Sequence, residues 1–193
     1  KTDEEVLTFQ GGNQPGDILK RDLNTIGINL DAQSLLSQEE DVSHIISYGV
    51  EAYQDEQEGS DSRNGERGGV PDAEASFAGF YLQTETNITA DWILGEISVI
   101  PAVRYDTYDN ENADGLTNDE EEFSKKLALS YKPFEWLSTF ASYAEAFRAP
   151  NLTELYVDGF HFSSGFGVNN FVPNPNLRPE TSENIEFGFG LKF

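Results

Sequence analysis

Cysteine is absent from the 193 residues, which rules out a disulfide framework, thiolate zinc sites and thiol chemistry. It also leaves the redox compartment with no signature in cysteine usage. Basic residues are scarce: 12 Lys and Arg stand against 35 Asp and Glu, for a formal net charge of −23. Phosphate neutralisation needs clustered cations, so nucleic acid is excluded as a partner. No apolar run approaches the roughly 20 residues of a transmembrane helix. The start, Lys1-Thr2-Asp3-Glu4-Glu5, is not a signal peptide, so for an exported protein the true N-terminus is expected to lie upstream. Neither a nucleophile elbow with its triad, nor a phosphate-cradling glycine loop, nor a paired His-Glu zinc site is present, and no enzymatic activity is expected.

Aromatic residues are abundant: 14 Phe, 8 Tyr and 2 Trp, although hydrophobic residues total only 37%. The mean hydropathy of −0.51 and the acidity alone would describe a disordered chain. Disordered chains are poor in aromatics, however, and a polar average with many rings fits a surface greasy on one face and wet on the other.

Period-two alternation supplies that surface. Val42, Ile46, Tyr48, Val50 and Ala52 alternate with Ser43, Ser47 and Glu51. Ile93, Ile97, Val99, Pro101, Val103 and Tyr105 oppose Glu96, Ser98, Arg104 and Asp106. Phe123, Leu127, Leu129 and Tyr131 oppose Ser124, Lys126, Ser130 and Lys132, and Ile185, Phe187, Phe189 and Leu191 close the chain in the same way. Short turns such as Lys132-Pro133-Phe134-Glu135 alternate with long polar connections near 54–72, 106–122 and 149–183. That wiring predicts an all-β fold, an antiparallel transmembrane β-barrel with about seven or eight strands in this chain. Tyr53, Tyr105, Tyr108, Phe134 and Trp136, at strand ends, are expected to form an interfacial girdle. A soluble β-sandwich with decorated loops is the alternative that the pattern leaves open.

The segment Phe147-Arg148-Ala149-Pro150, followed by Tyr156, Phe160-His161-Phe162 and then Asn174-Pro175-Asn176-Leu177, resembles the paired boxes of TonB-dependent haem and haemoglobin receptors. Pro179-Glu180-Thr181-Ser182-Glu183-Asn184-Ile185-Glu186 is similar to the stretch that leads such receptors into their next strand. The resemblance spans roughly residues 75 to 193 and is strongest after Phe123. It implies a barrel of about 22 strands closed by an N-terminal plug. No plug and no TonB-contacting box are recognisable here, so the chain (1–193) is expected to be part of a receptor barrel, unable to span a membrane with its edges unpaired.

What the resemblance implies for function is TonB-dependent uptake of haem, free or from a haem protein, across the Gram-negative outer membrane. Haem is then the transported ligand, TonB and outer-membrane lipid are partners, and no catalytic cofactor is needed. His161 becomes the axial-ligand candidate, since imidazole is a good donor to haem iron. Phe160, Phe162 and Phe166 suit packing on a macrocycle, Gly159, Gly165 and Gly167 loop closure, and Tyr156 a phenolate or propionate contact. Receptors of this kind commonly take a second ligand from the plug. The boxes themselves (Phe147, Arg148, Ala149, Pro150; Asn174, Pro175, Asn176, Leu177) are expected to be loop scaffold, with Arg148 paired to Glu145 or Glu154 and the prolines stiffening the arms. The other histidine, His44, falls between Val42 and Ile46 and is expected to be packed or interfacial.

Two rivals accompany this reading. One is a siderophore or metal-chelate receptor of the same superfamily, in which His161 is a bystander. The other is an acidic surface β-protein with calcium-stabilised loops, because Asn110, Asn112, Asp114 and Glu121 match the spacing of an EF-hand loop. Against calcium, position one lacks a charge and neither flank is helical. The run Asp119-Glu120-Glu121-Glu122 is read as solvated loop surface.

Overall fold

The computed structural model describes residues 2–6, 14–63, 65–67, 69–164 and 167–192. In chain order the elements are β1 (Thr2–Glu5), β2 (Ile18–Gln38), β3 (Val42–Asp61), β4 (Gly65–Glu66), β5 (Ala73–Ile88), β6 (Glu96–Asn112), β7 (Thr117–Phe134) and β8 (Leu137–Arg148). Then follow a five-residue helix, α1 (Leu152–Tyr156), the short strands β9 (Gly159–Ser164) and β10 (Gly167–Phe171), and β11 (Glu180–Leu191). The main sheet runs β1-β2-β3-β5-β6-β7-β8-β11, with β4 beside β3, and its pairings are antiparallel. β9 and β10 make a separate two-stranded sheet.

At one end the connections are short turns, 39–41, 89–95 and 135–136. At the other lie 62–72, the tight turn 113–116 and the long segment 149–179. Strands β2, β3, β6 and β7 run to 21, 20, 17 and 18 residues, well beyond the roughly 9–11 that cross a bilayer. The excess lies toward the long-loop end and is polar. Residues 54–61, 106–112 and 117–122, expected above to be loop, are therefore largely strand, with Asp55 opposite Thr25 and Asn110 opposite Asn118. Both faces are wet there, so the hydropathy alternation disappears while the hydrogen-bond ladder continues.

Apolar residues lie on the outside of this fold. Leu30, Val50, Phe80, Tyr105 and Phe123 stand opposite one another across successive strands, each between 42% and 59% exposed. On the other face, Gln33, Ser47, Gln83, Ala102, Lys126 and Ala144 form the corresponding row. A soluble sandwich buries its apolar rows between sheets; here the apolar face has nothing packed on it among the described residues. At the end of β2 a bulge between Leu35 and Ser37 breaks the alternation, leaving both Leu35 and Leu36 exposed.

Buried apolar side chains are few: Ala73, Phe77, Ala90, Leu152, Leu155 and Tyr156 among the described residues. Phe77 sits in an aromatic row on the inner face, stacked on Tyr53 (4.6 Å between centroids) and tilted against Tyr108 (4.7 Å), which meets Phe147 edge-on at 5.7 Å. Tyr53 and Tyr108 thus belong to an internal rib and not to the girdle expected of them; their strands run on past them, so they are not strand ends. Phe134 and Trp136 stack at 5.3 Å at the short-turn end, where Trp92 is also exposed. His44 lies on β3, half-buried, its Nδ1 2.9 Å from the Thr86 hydroxyl.

Candidate functional site

The long segment between β8 and β11 is built as two fixed arms around a hairpin. The outgoing arm begins at Arg148, whose Nη1 and Nη2 donate to Oε2 and Oε1 of Glu154 at 2.9 and 3.1 Å. A further ion pair reaches Glu180 at 3.1 Å, on the strand that receives the returning chain. Glu145, the other partner considered, is engaged by Lys125 at 3.1 Å and by the Tyr143 hydroxyl at 2.7 Å.

Asn151 starts α1 because its side chain accepts from the Glu154 amide while the Glu154 carboxylate accepts from the Asn151 amide, a reciprocal capping box. Pro150, just before the cap, helps hold the chain extended where it enters the helix. The bond to Arg148, then the one to the Asn151 amide, hold the Glu154 carboxyl below its ordinary range. So short a helix has little stability of its own and is held by packing. Leu152, Leu155 and Tyr156 bury against Ala73, with Ala75, Leu116 and Leu177 around them.

Tyr156 is only 2% exposed, and its hydroxyl donates to the Asn110 carbonyl at 2.9 Å. Burial, then the nearby charges of Asp119 and Glu111, push this phenol up to about 12. A buried, donating, neutral phenol is not a phenolate ligand. Tyr156 is thus part of the packing core of the rim.

Past Gly159, whose φ of +98° suits glycine, β9 and β10 pair as a hairpin. Its register steps from Asn169 opposite Phe162 to Asn170 opposite Phe160. His161 falls in that step, with no residue assigned opposite it. The structure does not describe the side chains of Phe160, His161 and Phe162, and Gly165 and Phe166 lie outside the described residues.

The returning arm docks onto the outgoing one. The Asn174 amide donates to the Leu155 carbonyl at 2.7 Å, and the Asn174 side chain accepts from the Asn176 amide at 3.3 Å, which shapes the turn at Pro175 and Asn176. Asn118 of β7 donates its side-chain amide to the carbonyls of Pro175 and Leu177, at 2.8 and 3.1 Å. Nothing in the sequence marks Asn118 out from its acidic neighbours, and it went unnoticed there.

The calcium reading fails on register. Asn110 and Asn112 lie on one face of β6, and Asn110 is buried, spending its amide on Asn118. The Asn112 side chain accepts from the Asp114 and Leu116 amides and so closes the turn itself. Glu121 is opposite Thr107, on the other face of the sheet, where it accepts from the Tyr105 hydroxyl at 2.6 Å. Among the described residues no group of three or more His, Cys, Asp or Glu side chains could hold a metal ion.

Two open cavities flank the arms. One, of about 640 Å³, lies on the inner face beneath the outgoing arm, walled by Tyr53, Phe77, Tyr108, Phe147 and Asn151. The other, of about 430 Å³, lies at the hairpin base between Val70, Asp72, Asp114, Tyr156 and Asp158.

Comparison with known proteins gives this architecture a context. Residues 2–193 match the family described as TonB-dependent receptor-like, β-barrel. The chain belongs to the TonB-dependent receptor β-barrel family. It is 37% identical over 190 residues to the hemin receptor of Yersinia pestis, covering 95% of this chain and 26% of that one. To the heme/hemopexin utilization protein C of Haemophilus influenzae strain 86-028NP it is 36% identical over 183 residues, or 89% of this chain and 24% of that protein. The chain thus spans about a quarter of the length of these relatives. Its fold is shared with a double mutant of the Serratia marcescens hemophore receptor HasR, solved in complex with its hemophore HasA and heme. The TM-score is 0.75 and the identity 23%, over 90% of this chain and 30% of that one. The sheet is accordingly a segment of a TonB-dependent receptor barrel, apolar face outward. The family is one of receptors.

Proposed function

We propose that this chain forms part of an outer-membrane receptor that captures haem, free or held by a haem protein, at the outer face of a Gram-negative cell for TonB-dependent uptake. The long-loop end faces outward and the short turns face the periplasm, as in other barrels of this class. TonB acts in this reading through the plug of the whole receptor.

The observation that carries the proposal is the position of His161. It stands at the register step of a hairpin carried between two anchored arms, and such irregularities recur beside active sites. Imidazole ligates haem iron well at neutral pH. The names of relatives at 36–37% identity, a hemin receptor and a heme/hemopexin utilization protein, support haem over other iron carriers.

Hemin titration of the detergent-solubilised receptor, followed in the Soret band, tests it. Wild type is expected to give a saturable Soret shift, and His161→Ala a weaker shift with a changed ligand signature. Identical titrations would remove His161 from the site. No saturable shift in wild type, with retained binding of a ferric siderophore, would replace haem by a chelate.

A further inference from the structure

Both arms of the loop are tied to one point on the barrel. Asn110 and Asn118 stand directly opposite each other at the top of the β6–β7 hairpin, 4% and 6% exposed. The Asn110 side-chain amide donates to the Asn118 backbone carbonyl at 3.2 Å and to its Oδ1 at 3.4 Å. From this pair one bond goes to the outgoing arm and two go to the returning arm. The Asn110 carbonyl accepts the Tyr156 hydroxyl, before the hairpin, and the Asn118 amide donates to Pro175 and Leu177, after it.

We infer that Asn110 and Asn118 form a neutral latch that positions the ligand loop, holding residues 149–157 and 174–179 on the β6–β7 rim. Asparagine is suited to the task for three reasons. Its amide carries two donors, and Asn118 spends its donors on two carbonyls, two residues apart, of a turn whose proline has no N–H of its own. Burial makes each bond hard to abandon, because an unmade buried donor leaves the full desolvation penalty behind. Lacking charge, the latch is unaffected by salt, unlike the exposed fork between Arg148 and Glu154. The two residues touch no ligand; they are positioning residues that act through the loop. The ligand arm of the test rests on the haem-capture reading above, whereas the latch itself does not.

The experiment is hydrogen exchange by mass spectrometry on the receptor in detergent, with hemin dissociation measured in parallel by competition in the Soret band. Asn118→Leu removes both donors at similar volume. Exchange across 172–179 is expected to rise about tenfold, with β6 and β7 unchanged. Tyr156→Phe removes a single hydroxyl, so the rise should be confined to 152–157. Hemin should leave each variant several-fold faster with its Soret maximum unmoved, since the ligands are the same. If Asn118→Leu also loosens β6 and β7, the isosteric Tyr156→Phe decides alone. Wild-type exchange in both arms overturns the latch. Faster exchange with wild-type hemin release overturns its part in capture while leaving the haem reading intact. A wild type that binds no hemin overturns the haem reading, and the exchange pattern then judges the latch by itself.

Discussion

Arg148 and Glu154 meet as a two-pronged fork, Nη1 on Oε2 at 2.9 Å and Nη2 on Oε1 at 3.1 Å, across the first turn of α1. Parallel N–H···O bonds of this kind need a planar guanidinium, which a lysine ammonium cannot imitate. Arg148→Lys keeps the charge and loses the fork. Both side chains are about half exposed, so the expected loss is small and local to α1. Exchange of the Leu155 amide, bonded to Asn151, should report it while the sheet is unchanged.

The same fork gives the loop an acid limit. The Glu154 carboxyl is held below its ordinary value of 4.5 by Arg148 first and by the Asn151 amide second. A depressed carboxyl stabilises the fold fully above its unfolded pKa, and that contribution is lost as pH falls through the folded one. The outgoing arm should be indifferent to pH from 7 to 5 and loosen progressively below about 4.5. With no cysteine in the chain, Thr153→Cys carrying a spin label reads this directly. Glu154→Gln in the same background should flatten the profile; an unchanged profile would assign the acid response to another group.

Neighbouring residues on β7 should respond unequally to one substitution. Leu129 lies on the apolar outer face, opposite Val99 and Ala141, midway between Phe123 and Phe134. Leu129→Arg places a cation in hydrocarbon and should cost about 2–4 kcal/mol in a bilayer-folding titration. Ser130→Arg, one residue along and facing inward, should cost under about 1 kcal/mol. Equal costs would contradict the assignment of faces.

The inner aromatic rib should be a stability element. Phe77 is 5% exposed and touches both Tyr53 and Tyr108. Phe77→Ala should lower unfolding stability by about 3–5 kcal/mol, and removing the support of Tyr108 should also loosen Phe147 at the loop base. Thermal unfolding in detergent measures the first effect, hemin affinity the second.

The strands were legible where one face was greasy, as in Val99 to Tyr105 and Leu127 to Tyr131, which alternate in the sequence as they do in the sheet, although Ile93, read as part of the first, lies in the turn before it. They were illegible at the rim, where Asp109, Asn110, Glu111 and Asn112 are polar on both faces and pairing alone makes them strand. Register explains the other misreadings. Asn110 and Glu121 look like ligands of one loop when read along the chain, but lie on opposite faces once β6 and β7 pair. The Asn118 bonds to Pro175 and Leu177 span more than fifty positions and have no local signature. The boxes were visible as words, Phe147 to Pro150 and Asn174 to Leu177; what they hold together became apparent only in three dimensions.

β9 and β10 pair with each other and with no strand of the main sheet. Among the described residues, substitutions in β9 and β10 therefore touch no rung of the main sheet. Such a segment can be changed in length or sequence while the strand pairing of the main sheet stays constant. For the protein engineer it is a cassette: a foreign tip grafted between Gly159 and Phe171 inherits two anchored arms and a finished foundation.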